Sequence, residues 1–231
     1  MKSVYACFST DVIHEGHLHI IQEAQAYGEL TIGVLTDEAL IKFDRFPTIT
    51  FDERFQMMQK LDGVAHVVAQ STVSYTENLQ KLKPDYVIHG DNWKTNEQKI
   101  IRDNVLKVLS TWGGQLIEVP YTRTEKVQHI DKVMHDKLAM PEFRRKRLRQ
   151  LLQLRPIVKA LEVHSGITAL IAEKTIVQNK EELDQFDAMW ISSLCDSTAK
   201  GKPDIELVDM SSRIRTCLLY TSDAADELDG V

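Results

Sequence analysis

The chain has 231 residues, 43% of them hydrophobic and 27% charged, with a formal net charge of −6. That balance suits an ordinary soluble protein of one large domain, or one complete domain and part of another. The negative charge argues against non-specific nucleic-acid binding. No apolar run approaches the roughly 20 residues that span a bilayer, and Met1–Phe8 is too short for a secretory h-region. The three cysteines, Cys7, Cys195 and Cys217, form no CxxC pair and suggest neither a disulfide framework nor a zinc site. A reducing cytoplasm is the simplest setting.

Short apolar runs alternate with helical patterns through about residue 138. Ser3–Phe8 reads as a buried strand, and Gly16–Tyr27 as a helix with Leu18, Ile20, Ile21 and Ala24 inward. Glu29–Leu35 is the second strand. Thr50-Phe51-Asp52-Glu53 is a capping box, which predicts a helix running to about Leu61. Ala65–Ala69 and Asp85–His89 are further strands, and a helix follows over about Asn96–Trp112. Gly113-Gly114 stops that helix before a fifth strand, Gln115–Val119. Val127–Leu138 is helical in pattern. This order predicts a doubly wound, Rossmann-like parallel α/β sheet.

The composition then changes. Pro141–Gln153, with Arg144, Arg145, Lys146, Arg147 and Arg149, reads as a basic helical linker with a solvated charged face. Beyond Pro156, Lys159–His164 is strand-like, Thr168–Val177 helix-like and Phe186–Ile191 strand-like. The organisation is thus residues 1–140, a linker at 141–155, a second region at 156–214, and a tail at 215–231.

The first strand ends at Phe8-Ser9-Thr10-Asp11, and His14-Glu15-Gly16-His17 opens the next helix. Parallel sheets place ligand sites at the carboxyl ends of their strands, and helix N-termini favour phosphate. Two histidines three residues apart share a helical face. Gly16 removes a side chain where a phosphate must approach. The corner suits phosphoryl chemistry. A zinc site would need more ligands, and none stands nearby at familiar spacing. His19 lies off the spacing and reads as ordinary.

Asp11–His17 resembles the signature of the HxGH nucleotidyltransferases, and within them the glycerol-3-phosphate cytidylyltransferase branch. The resemblance covers about residues 1–140. Phe51-Asp52-Glu53-Arg54 resembles the family's aromatic-x-x-Arg helix entry, and His89-Gly90-Asp91-Asn92-Trp93 its Gly-Asp-Asp-Trp stretch. The resemblance implies that His14 and His17 contact the triphosphate and stabilise the transition state. It further implies that Ser9, Asp11, Gly16, Lys42 or Arg45, Arg54 and Arg123 grip phosphate, and that Asp91 and Trp93 help form the nucleotide pocket. For the cations a plain surface charge, for Asp91 a turn and for Trp93 core packing stay open. CTP with Mg2+, a small phosphate or phosphonate acceptor and a homodimer are implied; an ATP-using adenylyltransferase and a degenerate nucleotide-binding module remain alternatives. One segment departs from the family. Arg123-Thr124-Glu125 is present, but Lys126-Val127-Gln128-His129 stands where a Gly-Ile-Ser-Thr-like helix start is usual.

From about residue 150 to 214 the chain resembles phosphoenolpyruvate mutase, a (β/α)8 barrel related to isocitrate lyase. Trp190-Ile191-Ser192-Ser193-Leu194 resembles its Trp-x-Ser-Gly-Leu substrate segment, and Lys200–Asp204 its gating loop. The resemblance implies substrate contacts from Trp190, Ser192, Ser193, Leu194 and Asp204, in an incomplete site. A closed barrel needs about 250 residues and eight strands. Only the first units of an incomplete barrel are expected, with exposed apolar faces and no mutase turnover. Cys217–Glu227 fits neither family and reads as translated adapter sequence, so no function is expected beyond about Arg213. The joined resemblances suggest phosphonate biosynthesis, with 2-hydroxyethylphosphonate as acceptor.

Overall fold

The structure, a computed structural model, describes residues 2–9, 12–41, 47–94, 98–120, 124–125, 128–130, 132–133, 140–179, 182–205, 207–209, 211–212 and 215. The chain divides into two compact units, Met1–Arg155 with Gln178–Leu183, and Pro156–Val177 with Asp184–Val231. Among the described residues no helix is long and apolar enough to cross a membrane.

The first unit holds β1 (Ser3–Phe8), α1 (Glu15–Tyr27), β2 (Glu29–Leu35), α2 (Asp37–Ile41) and α3 (Phe51–Gln59). These are followed by β3 (His66–Gln70), α4 (Thr76–Leu82), β4 (Tyr86–Gly90), a 3-10 turn (Asp91–Lys94), α5 (Gln98–Leu109), β5 (Gln115–Val119) and α6 (Pro141–Leu154). The five strands lie in the order β3-β2-β1-β4-β5, and every neighbouring pair is parallel. This is the doubly wound, Rossmann-like sheet that the alternating pattern predicts. The winding reverses between β1 and β4, which is where such sheets bind ligands.

The register shows how the crevice opens. β1 pairs with β2 along its whole length, from Ser3↔Glu29 to Phe8↔Val34. With β4 it pairs only at Val4↔Tyr86 and Tyr5↔Val87. Past Tyr5 the two strands part, leaving room between their carboxyl ends.

Alternation along β1 divides the core into two layers. Val4, Ala6 and Phe8 join Ile21, Ala24, Leu30, Ile32 and Met58 on the α1/α3 face. Tyr5 faces Tyr75, Leu79, Val87, Trp93, Val105 and Leu109 on the α4/α5 face. Tyr5 is completely buried, so its hydroxyl needs partners. It bonds to Gln70 on β3 and accepts from Asn78 Nδ2 on α4 at 2.9 Å. This hydroxyl passes over Gly33, where an added Cβ would lie 1.9 Å from it.

Several local readings hold and several change. The box at Thr50–Glu53 forms in both directions, Glu53 N donating to Thr50 Oγ1 at 3.4 Å and Thr50 N donating to Glu53 Oε2 at 2.9 Å. The stretch after Leu35 opens α2: Thr36 Oγ1 accepts from Ala39 N at 3.2 Å, and Ala39, Leu40 and Ile41 are buried. α4 was not anticipated. It is short, and its N-cap residue, Tyr75, makes no side-chain cap bond, so its start lacks the usual capping signal.

In the second unit, β6 (Ala160–Glu162) and β9 (Ala188–Trp190) form a parallel pair around α7 (Gly166–Lys174), and α8 (Ser193–Ala199) follows. The helix expected over Thr168–Val177 stops earlier. Ile176 and Val177 belong instead to β7 (Ile176–Asn179), which pairs with β8 (Glu182–Gln185); two adjacent β-branched residues favour the extended chain. Ile167, Ile171, Trp190 and Leu194 are exposed.

The Tyr5 contact predicts that Gly33→Ala destabilises the protein by about 1–3 kcal/mol through overpacking. Denaturant unfolding should show partial recovery in the Gly33→Ala/Tyr5→Phe double variant, which removes the obstructing oxygen. Equal stability of the single and double variants would contradict the contact.

Candidate functional site

His14 is the N-cap of α1. Its backbone is extended, and its Nδ1 accepts from Gly16 N at 3.1 Å. In return, His14 N donates to His17 Nδ1 at 3.4 Å. This is a reciprocal capping box made by two imidazoles, where Ser or Thr and Glu usually serve. A backbone N–H can only donate, so each Nδ1 must offer a lone pair. Each neutral ring therefore carries its hydrogen on Nε2.

The ring centroids lie 3.9 Å apart at 53°, and Phe8 meets His17 edge-on at 5.0 Å. Burial, followed by the neighbouring His14, lowers the His17 pKa to about 3. His17 is thus neutral at pH 7 and works as a hydrogen-bond donor rather than as a cation. Gly16 has a definite task here. A Cβ would come within 3.0 Å of His14 Cε1 and 3.2 Å of its Nδ1, so the glycine makes room for the capping imidazole itself.

A second group of aromatic residues comes from β4 and the turn after it. His89 stacks on Trp93 with centroids 3.8 Å apart and planes 8° from parallel. Its Nδ1 bonds to Gly90 O at 2.7 Å; a carbonyl only accepts, so this ring holds its hydrogen on Nδ1. Burial pushes the His89 pKa down. Trp93 is 1% exposed and donates its Nε1–H to Glu118 Oε1 at 2.9 Å. A cavity of ≈ 100 Å³ is bordered by Cys7, Ser9, Tyr75, His89 and Trp93. It sits where β1 and β4 part. A larger, open cavity of ≈ 510 Å³ lies along β3 against Gln59, His66 and Leu82. It holds none of the sequence-predicted site residues, so the smaller one is the chemical candidate.

The structure therefore brings together His14, Gly16 and His17 at one helix start, and Ser9 and Trp93 around one cavity, with Asp91 opening the adjoining turn. Trp93 is core packing and cavity wall at once. Thr124 Oγ1 donates to Glu15 Oε2 at 3.4 Å, which places Thr124 beside the same helix start. Asp11, Lys42, Arg45, Arg123 and Lys126 lie outside the described residues. His19 pairs with Glu23 at 3.5 Å, as an ordinary surface histidine.

Arg54 is placed inside the fold. Its side chain is fully buried, its Nη1 donates to Leu35 O at 2.7 Å, and its Nη2 pairs with Asp37 Oδ1 at 2.5 Å. Asp37 Oδ2 also accepts from Phe51 N at 3.2 Å. Arg54 is a brace that ties the start of α3 to the end of β2 and the start of α2. The aromatic-x-x-Arg pattern marks this brace. Sequence reasoning passed over Glu118, Arg102 and Tyr75, which carry no motif and meet the site only through strand register and helix packing.

In the second unit, Ser192 caps α8 by accepting from Cys195 N at 3.1 Å, and Ser193 Oγ donates to Asp204 Oδ2 at 3.2 Å. Glu162, at the end of β6, is held below the usual carboxylate range by bonds from Cys195 and Ser192. The expected set of Ser192, Ser193 and Asp204 is thus brought together, with Glu162 added. Trp190 and Leu194 are mostly exposed, and Lys200 turns back to Asp196 at 2.7 Å.

A parallel sheet wound both ways from β1, with an imidazole-capped helix at its switch point, defines a nucleotide-handling α/β domain. The cytidylyltransferase-like family matches residues 7–193, and the chain belongs to that family of nucleotidyltransferases. A FAD synthase of Methanohalobium evestigatum is 31% identical over 113 residues, 49% of this chain and 72% of that protein. The ethanolamine-phosphate cytidylyltransferase of Mus musculus is 37% identical over 84 residues, 36% of this chain and 21% of that protein. The bifunctional protein HldE of Desulfatibacillum aliphaticivorans is 28% identical over 117 residues, 49% of this chain and 22% of that protein. The chain thus spans about a fifth of the last two relatives. Among solved structures, a lipopolysaccharide core biosynthesis protein from Thermoplasma volcanium GSS1 aligns with a TM-score of 0.45 and 20% identity, over 54% of this chain and 99% of that one. At that score the likeness adds nothing to the strand order, which defines the fold by itself.

The His17 environment has a pH signature. Folding lowers its pKa from the ordinary 6.5 to about 3, so below pH 6.5 the unfolded chain binds a proton that the folded one excludes. Its contribution to stability is present above pH 6.5 and is lost as pH falls toward 3. Unfolding free energy should therefore drop more steeply between pH 6.5 and 4 in the wild type than in His17→Phe. Parallel slopes would contradict the buried neutral ring.

Proposed function

We propose that the chain transfers a cytidylyl group from CTP to a phosphate or phosphonate oxygen of a small alcohol and releases pyrophosphate. The observation that carries this reading is the His14–His17 pair, whose Nδ1 atoms are engaged by backbone N–H groups and whose Nε2 atoms carry hydrogen. An acceptor oxygen, ionised at neutral pH, attacks the α-phosphorus. A new P–O bond forms as the bond to the bridging α–β oxygen breaks, and pyrophosphate leaves with that electron pair. No general base is needed. Catalysis rests on aligning two anions and meeting the charge that develops on phosphoryl oxygens. The Nε2–H groups donate to those oxygens, and the α1 N-terminus adds its dipole. Asp11, Lys42 and Arg123 are proposed to complete the phosphate grip, Ser9 to bind phosphate, and Asp91 and Trp93 to wall the nucleotide. Magnesium enters with the nucleotide as part of the substrate. Among the described residues no group of three or more His, Cys, Asp or Glu could hold a metal.

The proposed acceptor is 2-hydroxyethylphosphonate or a close analogue, in phosphonate biosynthesis. This rests on the phosphoenolpyruvate mutase-like segment Trp190–Leu194 and Asp204, and on a relative named for a phosphorylated amino alcohol. On this reading the native gene product is also a phosphoenolpyruvate mutase, acting as a cytoplasmic homodimer without nucleic-acid or membrane partners. A second reading, adenylyl transfer from ATP, is favoured by the FAD synthase relative, of which the chain covers 72%.

Pyrophosphate release from CTP and ATP should be measured in parallel with 2-hydroxyethylphosphonate, ethanolamine phosphate and glycerol 3-phosphate. CTP with the phosphonate is expected to be best. His14→Ala and His17→Ala should each lower kcat by about 10²–10³-fold, the usual effect of removing a donor to transition-state charge. Preference for ATP would sink the cytidylyl reading. CTP binding without release for any acceptor would identify a non-catalytic module, in line with the altered Lys126–His129 segment.

A further inference from the structure

Glu118 occupies the next-to-last position of β5 and lies in register with His89 on β4. It therefore reaches the same face of the sheet as the His89–Trp93 stack. Three donors from two other elements converge on its carboxylate. Trp93 Nε1 reaches Oε1 at 2.9 Å. Arg102, from α5, adds Nε to Oε1 at 2.8 Å and Nη2 to Oε2 at 3.2 Å. Lys94 Nζ lies 3.4 Å from Oε2. The Arg102 fork gives the pair a fixed geometry. It is also the main reason that the Glu118 pKa falls to about 2, so the carboxylate stays charged at any working pH.

The carboxylate thus fixes both ends of one short element. Trp93 and Lys94 close the 3-10 turn that Asp91 opens, and Trp93 borders the cavity beside Ser9. The His89 stack and the packing of Tyr75 hold the faces of the indole, and the Glu118 carboxylate fixes its Nε1 edge. We propose that Glu118 is a positioning residue for the substrate pocket: through Trp93 and Lys94 it holds the Asp91–Lys94 turn against the crevice and so sets nucleotide affinity without touching the reacting atoms. This rests on the nucleotide-transfer reading above.

The test compares wild type, Glu118→Gln, Glu118→Leu and Trp93→Phe in the full chain, by steady-state kinetics with CTP and 2-hydroxyethylphosphonate and by equilibrium binding of CTP, with thermal unfolding run alongside. Glu118→Leu should raise the KM for CTP about tenfold and leave kcat within about threefold, the signature of lost uniform binding. Glu118→Gln keeps an acceptor for the indole and should restore part of the affinity. The Trp93→Phe and Glu118→Leu effects on KM, measured singly and in the double variant, should fall short of additive, because both remove the indole–carboxylate contact. A lower Tm with unchanged KM, measured well below unfolding, would reduce Glu118 to a fold brace and overturn the proposal. So would a fall in kcat at constant KM. If Glu118→Leu does not fold, Glu118→Gln and Trp93→Phe carry the same comparison. Weakened CTP binding in the variants beside a wild type that binds but does not turn over would uphold Glu118 and defeat the transfer reading. No CTP or ATP binding by the folded wild type would overturn both.

Discussion

Two imidazole lone pairs hold the first turn of α1, and much of the site follows from that arrangement. His14 Nδ1 takes the Gly16 N–H, and His17 Nδ1 takes the His14 N–H. Satisfying these backbone donors stabilises the helix start, as a cap does. The same bonds fix the tautomers, since an Nδ1 that accepts leaves the hydrogen on Nε2. Structure and chemistry are thereby linked in one contact. A proton on either Nδ1 would break a cap, and protons on both would set charge against charge across rings 3.9 Å apart. The depressed His17 pKa states the same constraint in another form. A neutral imidazole donor costs less to keep in a half-buried corner than a cation does, and it can still stabilise charge that appears only during reaction.

The sheet supplies the place for this pair. β1 pairs with β2 as far as Phe8 but with β4 only as far as Tyr5, so β1 and β4 part at their carboxyl ends. The imidazole cap lies at the end of β1, where Phe8 meets His17. The His89–Trp93 stack on its carboxylate anchor borders the small cavity with Ser9. Beneath them, the Tyr5 hydroxyl joins β1, β3 and α4 through Gln70 and Asn78. The polar groups are thus built into the layers of the core, which restrains the motion of the walls.

The sequence made the scaffold legible where the signal is local and periodic. Strand runs, the Thr50–Glu53 box and the glycine stop before Gln115 were all readable, and each depends on neighbouring residues. The His14–His17 motif was readable for the same reason. For Arg54 the motif marks a cation but not its direction; only the fold shows that it turns inward to Leu35 and Asp37. Glu118, Arg102 and Tyr75 were invisible because their roles depend on register between distant strands and on the packing of α5. α4 was missed because it lacks a capping residue and is stabilised by tertiary burial of Leu79.

The most direct test of this account is the protonation pattern of His14 and His17 by ¹⁵N-detected imidazole NMR at pH 7, before and after addition of magnesium CTP. Both rings should show an unprotonated Nδ1 and a protonated Nε2, with the Nε2 signals shifting when nucleotide binds. An Nδ1–H tautomer in either ring, or Nε2 signals indifferent to saturating CTP, would contradict the claim that one cap both builds the helix start and presents the donors for transfer.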